Sequence, residues 1–240
     1  MKTTVIAAVF FFFASSVMAQ EALATKKWKD AAELSSVQTS GNSKTSTIAA
    51  KNLFNYDWSK TALEVVAGGL GTKSRNIVTA EQYNASEKVS FKLTGKNYAF
   101  EKAGWDKNRF AGIKDRYDFG VGVGRHLLDQ GKDNLFAEAG GGYIIEDRTR
   151  SANQSFGTYR GYLKYIRTLS ATANASQDFE YIGNMQDANG YRMNTETALV
   201  ASISTHFTLK TSYVWKFSGN PGGGFKKTDT MTSMALIVNF

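Results

Sequence analysis

The stretch FTLKTSYVWKF, residues 207–217, carries the pattern on which the fold prediction depends. Large apolar or aromatic residues occupy nearly every odd position, and most even positions hold small or charged residues. Because successive side chains of a β-strand point to opposite faces, this period of two predicts a strand with one apolar and one polar face. The last ten residues, MTSMALIVNF, repeat it, with Met234, Leu236, Val238 and Phe240 on the apolar face.

The same alternation runs outward from this stretch through most of the chain, as in RYDFGVGVGRHL, residues 116–127, and FGTYRGYLKYIR, residues 156–167. From Lys27 onward we find about twelve such segments, each close to a dozen residues long and separated by turn residues. No stretch has the pattern of a helix of three or more turns. The sequence predicts an all-β fold, an up-and-down antiparallel transmembrane β-barrel of about 12 strands.

The connections alternate in length, which is typical of an outer-membrane barrel with short turns at one rim and longer loops at the other. Both chain ends are predicted at the short-turn rim. Tight turns are predicted at residues 57–60, 94–97, 129–133, 169–171 and 204–206. Longer loops are predicted at residues 40–44, 73–78, 104–108, 148–155, 182–190 and 218–224.

The polar face decides between a membrane barrel, which turns it inward, and a soluble ligand-binding barrel, which turns it outward. Segments this long exceed ordinary soluble strands of about 5 to 6 residues and favour the membrane barrel. We therefore expect a lumen lined by charges of both signs: Glu33, Glu64, Lys88, Lys92, Arg116, Asp118, Glu138, Glu146, Arg160, Lys164, Asp178, Glu180, Arg192, Glu196 and Lys210. A soluble periplasmic β-barrel that binds an apolar ligand is the alternative.

Glu87 does not fit the alternation, because it shares a face with Tyr83 and Val89. We expect either a β-bulge between Ala85 and Val89 or a strand displaced along the barrel axis. By the same count, three other charged residues near strand ends share a face with apolar residues: Lys102, Asp115 and Arg125.

The N-terminus and the composition bear on location and partners. Residues 1–19 are predicted to be a secretory signal peptide, because a short basic start precedes an apolar run from Val5 to Phe13 and small residues ending at Ala19; residues 20–240 form the barrel domain. There is no cysteine, so thiolate metal sites and cysteine nucleophiles are excluded. The formal charge is +8, but the basic residues are scattered, so we expect no nucleic-acid partner. We expect no cofactor and no metal.

Three strings, residues 28–51, 118–128 and 135–148, resemble the salt-induced outer-membrane protein family of YdiY type. The matching positions are Thr39, Ser40, Gly41 and Asn42 in the first loop and Glu138, Gly140 and Gly142 in the seventh strand. Lys29 and Asp30 depart from the family, where a glycine is usual two residues after Trp28. The resemblance implies a porin-like barrel in the cell envelope of a Gram-negative bacterium, in a family whose molecular activity is not established.

The apolar face of the last strand, Phe240, Val238, Leu236 and Met234, resembles the signature by which the barrel assembly machinery recognises outer-membrane proteins. We expect that machinery and outer-membrane lipid as partners. His126 and His206 both fall near the short-turn rim, and neither has a serine close after it in sequence, so we expect no enzyme; an outer-membrane acyl hydrolase is the least favoured reading. A narrow passive pore or a structural, stress-related envelope protein is the function that we favour.

Overall fold

The computed structural model describes residues 27–42, 44–74 and 77–240. The predicted signal peptide, residues 1–19, lies outside these residues and stays a prediction. Within the described residues, no helix has the length and apolar character needed to cross a membrane.

One closed antiparallel sheet forms the whole described structure, and each strand pairs with its neighbours in sequence. The last strand pairs with the first, with Leu236 opposite Leu34, so the sheet has no free edge. The predicted fold class is therefore confirmed. The strands are β1 (Trp28–Ser40), β2 (Thr45–Asp57), β3 (Thr61–Ser74), β4 (Ile77–Lys92), β5 (Asn97–Asn108), β6 (Ile113–Gln130), β7 (Asp133–Arg148), β8 (Gln154–Thr168), β9 (Ala173–Asn184), β10 (Arg192–Ser202), β11 (Phe207–Ser218) and β12 (Thr228–Asn239).

All connections at the rim that holds the end of β12 and the start of β1 are short, whereas those at the opposite rim vary in length. Longer connections lie at the opposite rim, at residues 149–153, 185–191 and 219–227. We call these the short-turn rim and the long-loop rim. The longer loop predicted at 73–78 is wrong, because β3 reaches Ser74 and β4 begins at Ile77. The predicted loop at 104–108 is wrong, because β5 continues to Asn108 and the chain turns over a short 3-10 helix, Arg109–Ala111. Gly112, with φ 77°, completes this turn in the left-handed region that favours glycine.

The outer surface of the barrel is apolar. Ile48 is 68% exposed and Val121 is 64% exposed, and both point away from the lumen. Aromatic side chains lie at both ends of this surface. Near the long-loop rim, successive ring contacts connect Tyr159, Tyr181, Tyr191, Phe217 and Trp215. The pairs Trp28–Phe54 and Tyr56–Trp58 lie near the short-turn rim. This arrangement is opposite to the one that a soluble barrel with an apolar interior would need.

Glu87 lies on the outer surface, and the predicted bulge beside it is wrong. It pairs in regular register with Val65 on β3 and Ala103 on β5, and the irregularity of this strand pair falls at Thr72 and Lys73. A bulge at Glu87 would have turned the following side chains of β4 to the other face. Regular pairing therefore persists although it leaves Glu87 exposed on the outer surface, as it also leaves Glu101, which lies between Val89 and Val121.

Lys102 was assigned to the wrong face. The register of β5 points it into the lumen, where its Nζ lies 3.4 Å from an oxygen of Asp118. Asp115 and Arg125 do face outward, and Asp115 accepts a 3.0 Å hydrogen bond from the indole nitrogen of Trp105. Lys102 shares a face with Tyr98 and Phe100, and these two aromatic rings point into the lumen instead of toward lipid.

Candidate functional site: the barrel lumen

The strand register places each of the predicted lumen charges on the inward face of its strand. They do not form one cluster but three groups, which differ in their partners. One group surrounds Glu138, a second surrounds Glu146, and the remainder are distributed along β1, β3 and β8 to β11. Lys92 stands apart, because it bonds to Asp57 and to the carbonyl of Trp58 at the short-turn rim.

The first group fills the centre of the lumen. The Glu138 carboxylate, whose side chain is 1% exposed, accepts a hydrogen bond from Lys88, a 2.7 Å bond from the Tyr98 hydroxyl and a 2.8 Å bond from Arg160. Arg160 also donates a 2.6 Å bond to Glu180. Since Lys88 is on β4 and Glu138 on β7, this group connects strands that are not neighbours in the sheet.

Glycines on β6 make room for this group. A Cβ atom on Gly122 would lie 2.6 Å from the Phe100 ring, and one on Gly124 would lie 2.2 Å from the Tyr98 ring. Tyr98 and Phe100 occupy that space and contact Lys88, whose Nζ lies 4.9 Å from the centre of the Phe100 ring. The alternating glycines of FGVGVGRH are thus explained by packing in the lumen, as the sequence indicated.

The second group lies closer to the long-loop rim. Glu146, also 1% exposed, receives Arg116 at 2.7 Å, Arg148 at 2.5 Å and Arg192 at 3.3 Å. Gln154 donates a further bond of 3.3 Å to the same carboxylate. Three guanidinium groups therefore converge on one carboxylate.

Large side chains and these two groups make β4 to β9 a packed wall. Ile144, Phe156 and Ile182 form a buried apolar cluster within it. The inward face of β10 to β12 and β1 to β3 holds a run of small side chains, beside a buried apolar pair of Val37 and Leu70, and we call it the small-residue wall. Its small residues include Ser35, Ala49, Gly68, Ala198, Ser212, Ser233 and Ala235.

Open space in the lumen is bordered by both walls near the long-loop rim and mainly by the small-residue wall below it. A cavity of about 520 Å³, which we call the vestibule, opens toward the long-loop rim. A second cavity of about 140 Å³ lies along the small-residue wall and reaches Glu33 and Lys210. The two share lining residues, among them Lys51, Asn84 and Glu196, so they adjoin inside the barrel.

Ion pairs are sparse along this second cavity. Lys210 pairs with Glu196 at 2.7 Å, but Glu33 and Lys51 have no ion pair within the described part of the chain. Ile237 lies opposite Glu33 and faces inward, so it is an apolar side chain inside the barrel. Sequence analysis overlooked the inward-facing Lys51, Asp106, Lys216 and Asp229, although the alternation of β2, β5, β11 and β12 was enough to identify them.

The remaining candidates for chemistry are placed as follows. His126 packs between the rings of Tyr98 and Phe136 inside the short-turn rim, and His206 lies in the turn between β10 and β11, 3.0 Å from the Thr205 hydroxyl. Asp178 accepts a 2.9 Å bond from the backbone amide of Glu196. On β12, Met234, Leu236 and Phe240 are exposed on the outer surface.

Comparison with known proteins supports the same fold. The family model described as protein of unknown function, DUF481, matches residues 32–240. The uncharacterized protein YdiY of Escherichia coli (strain K12) is 27% identical over 223 residues, which cover 92% of this chain and 86% of YdiY.

Two solved porins are similar in structure. NanC porin superposes with a TM-score of 0.60 at 9% identity, covering 86% of this chain and 98% of NanC. KdgM porin, solved in complex with disordered oligogalacturonate, gives 0.52 at 8% identity and covers 88% of this chain and 99% of KdgM. At such low identity these likenesses concern the fold alone.

Proposed function

The chain belongs to the DUF481 family of proteins of unknown function, and we propose that it is an integral outer-membrane β-barrel that forms a narrow passive pore. The observation that carries the proposal is the open space in the lumen, where a cavity between the two walls adjoins a second one along the small-residue wall. That space lies inside a barrel whose outer face is apolar and whose inner face is polar.

The outer face supports the membrane location. Lipid cannot hydrogen-bond a free sheet edge, and the pairing of β12 with β1 leaves none. Strands of 11 to 18 residues exceed the roughly 9 to 11 residues that a tilted strand needs to cross the hydrocarbon core. Aromatic rings at both ends of the apolar surface match the girdles of outer-membrane barrels.

The size of the lumen supports a narrow pore. Barrels of about 8 strands are filled by their side chains and those of about 16 enclose a wide channel, so a twelve-stranded barrel is intermediate and its side chains decide. Here the packed wall fills much of the cross-section, and the small-residue wall leaves the remaining space open. KdgM, a porin of the same fold, was solved with an oligosaccharide, so barrels of this architecture are compatible with a solute path.

Conductance tests the pore. The purified protein, shown to be folded by its heat-dependent migration on gels, is inserted into planar bilayers in potassium chloride. We expect small, stable current steps. A folded, inserted preparation that carries no current would remove the pore and leave a structural envelope barrel.

Fractionation tests the location. We expect the protein to remain with the outer membrane after osmotic shock and to need detergent for release. Release by osmotic shock alone would support the soluble periplasmic barrel instead. N-terminal sequencing of the mature protein tests the signal peptide, which we expect to be cleaved after Ala19.

Biogenesis follows from the last strand. We propose that Phe240, Val238, Leu236 and Met234 face outer-membrane lipid and are recognised by the barrel assembly machinery. Replacing Phe240 with serine is expected to lower the amount of folded protein in the outer membrane, whereas Asn239→Ser, on the other face of β12, is the control. Equal amounts of both variants would contradict the assignment.

A further inference from the structure

The group around Glu146 carries more positive charge than structural stabilisation needs. Arg116 donates to Glu146 through both Nε and Nη2 at 2.7 Å, and Arg148 donates through Nε. With Gln154 also donating, the lone pairs of this carboxylate are in use. Arg192 is left with a single long bond of 3.3 Å from its Nη1.

Arg192 has a donor without a partner. Its Nη2 atom is buried and makes no hydrogen bond in the described structure. An unsatisfied buried donor destabilises a protein by about 1 to 3 kcal/mol. Guanidinium groups gathered around one carboxylate also repel each other, because the lumen screens charge less than bulk water does. A site that retains both penalties without a structural need is a candidate binding site.

The other charges that line the vestibule do not neutralise this excess. Asp106 pairs with Arg116 at 3.3 Å and is the further acid in contact with the group. Four other acids line the vestibule. Three of them pair with a base of their own: Asp118 with Lys102, Glu180 with Arg160 and Glu196 with Lys210. The fourth, Asp229, lies opposite Lys216 in the strand register and accepts hydrogen bonds from Asn42.

Further cations border the same space. Lys216, Lys226 and Lys227 line the vestibule, and within the described residues none of them has an ion pair. The vestibule, at about 520 Å³, lies within the size range of small-molecule sites. Its wall therefore combines free space, an orphaned guanidinium donor and unpaired cations.

We propose that Arg116, Arg148 and Arg192 form a binding site for the oxyanion group, carboxylate or phosphate, of a small solute that enters from the long-loop rim. The planar guanidinium fork matches such oxyanions in two-point hydrogen bonds. Arg192 makes one long bond to Glu146, so its guanidinium is the one most free to turn toward the solute, and Glu146 holds the three arginines together. The inference deepens the proposed pore, on which it rests, by naming the chemical class of its solute.

Binding is tested without any current. The folded protein in nonionic detergent at low salt is titrated by calorimetry with D-glucuronate, with inorganic phosphate and with D-glucose. We expect both oxyanions to bind and the neutral sugar not to bind, and we expect the affinity to fall as potassium chloride is added, because salt screens the charges. Binding of only one of the two oxyanions would support the site and identify which oxyanion group it takes, whereas binding of neither would overturn the proposal.

Two variants and a control locate the site. Arg192→Gln and Arg148→Gln are each expected to weaken binding at least about tenfold, since each removes a charged donor. Arg167→Gln, which removes an arginine at the short-turn rim, is expected to leave the affinity unchanged. Equal affinity in all three variants, or heats for glucose equal to those for both oxyanions, would overturn the proposal. If Arg192→Gln does not fold, Arg148→Gln alone decides.

The two proposals, the oxyanion site and the pore, can be contradicted independently. Binding by a protein that carries no current would keep the oxyanion site and remove the pore. Current through a protein that binds neither oxyanion would keep the pore and remove the site.

Discussion

The two walls of the lumen share one sheet and one strand geometry, and they differ in the side chains that they turn inward. The packed wall, β4 to β9, carries Tyr98, Phe100, Arg160 and the buried carboxylates, and it fills the lumen beside them below the vestibule. The small-residue wall carries serines, alanines and a glycine, and open space lies along it. Inward side-chain size, more than strand number, thus sets how much of such a barrel is open.

The distribution of ion pairs follows the same division. On the packed wall a base from β4 and a base from β8 share one buried carboxylate, so the group braces the lumen across several strands. Along the small-residue wall the ion pair of Lys210 with Glu196 joins β11 to its direct neighbour β10. We infer that the packed wall stabilises the barrel and the small-residue wall is free to accommodate solute.

The largest expected effect on stability is at Glu138. Glu138→Ala leaves Lys88 and Arg160 without their shared partner, so we expect the free energy of unfolding to fall by about 3 to 5 kcal/mol. Glu33→Ala removes an inward acid from the small-residue wall and is expected to change it by less than about 1 kcal/mol. Urea unfolding in detergent, followed by tryptophan fluorescence, measures both. Similar losses of unfolding free energy in the two variants would contradict the inference that the packed wall contributes more to stability than the small-residue wall.

A smaller loss is expected at Gly122. Its Cβ in Gly122→Ala would meet the Ala139 carbonyl oxygen at 2.4 Å and the Phe100 ring at 2.6 Å, so we expect destabilisation of about 1 to 3 kcal/mol. Gly161→Ala is the matched control, because a Cβ there meets no atom within 4 Å. The same unfolding assay compares the two variants. A Gly122→Ala protein as stable as Gly161→Ala would show that the packed wall can accommodate an added methyl group.

Ion selectivity is expected to depend on the vestibule. Lys216 lines the vestibule, and Lys216→Glu should shift the permeability ratio toward cations by about fivefold, equivalent to roughly 1 kcal/mol. Lys132→Glu makes the same change in the short turn between β6 and β7 and is expected to shift it less. Reversal potentials in a potassium chloride gradient give the ratio. A larger shift in the Lys132 variant would place the selective region at the wrong rim.

The smallest effect is expected at the short-turn rim, outside both walls. Asp133→Asn removes the 3.2 Å ion pair with Arg167, in which the Arg167 side chain is 55% exposed. An exposed pair stabilises by about 0 to 1 kcal/mol, and we expect a loss within that range. A loss as large as that of Glu138→Ala would mean that exposure is a poor guide to the energetics of this barrel.

Sequence alone predicted the strands and their faces, because the period of two is a local property of the chain. The lumen charges followed from the same parity, and Lys102 was misplaced because it shares a face with Tyr98 and Phe100, two aromatic residues that point into the lumen and not toward lipid. The loop expected at 104–108 was wrong because Gly104 pairs as an ordinary strand glycine. Glu87 shows the opposite case, since the regular ladder persists where the chemistry of one residue suggested a bulge.

Pairing between distant strands was beyond the sequence. The contacts of Lys88 on β4 with Glu138 on β7, and of Arg192 on β10 with Glu146 on β7, depend on how the closed barrel brings opposite walls together. These contacts also depend on glycines in the sheet, because a position without a side chain leaves space for a long side chain from another strand to extend across the lumen. The alternation along a strand predicts which face a side chain points to. It does not predict the position of that residue along the barrel axis, nor how far its side chain extends across the lumen.

The most direct test of the central claim uses the absence of cysteine from the chain. Ala49 faces the cavity of the small-residue wall, and Ala50, its neighbour, faces outward. Ala49→Cys and Ala50→Cys are placed in planar bilayers and treated with a charged methanethiosulfonate reagent. We predict that current through the Ala49 variant falls on treatment and recovers on reduction, while current through the Ala50 variant is unchanged. Unaltered current in the Ala49 variant, with its modification verified by mass spectrometry, would contradict a solute path along this wall.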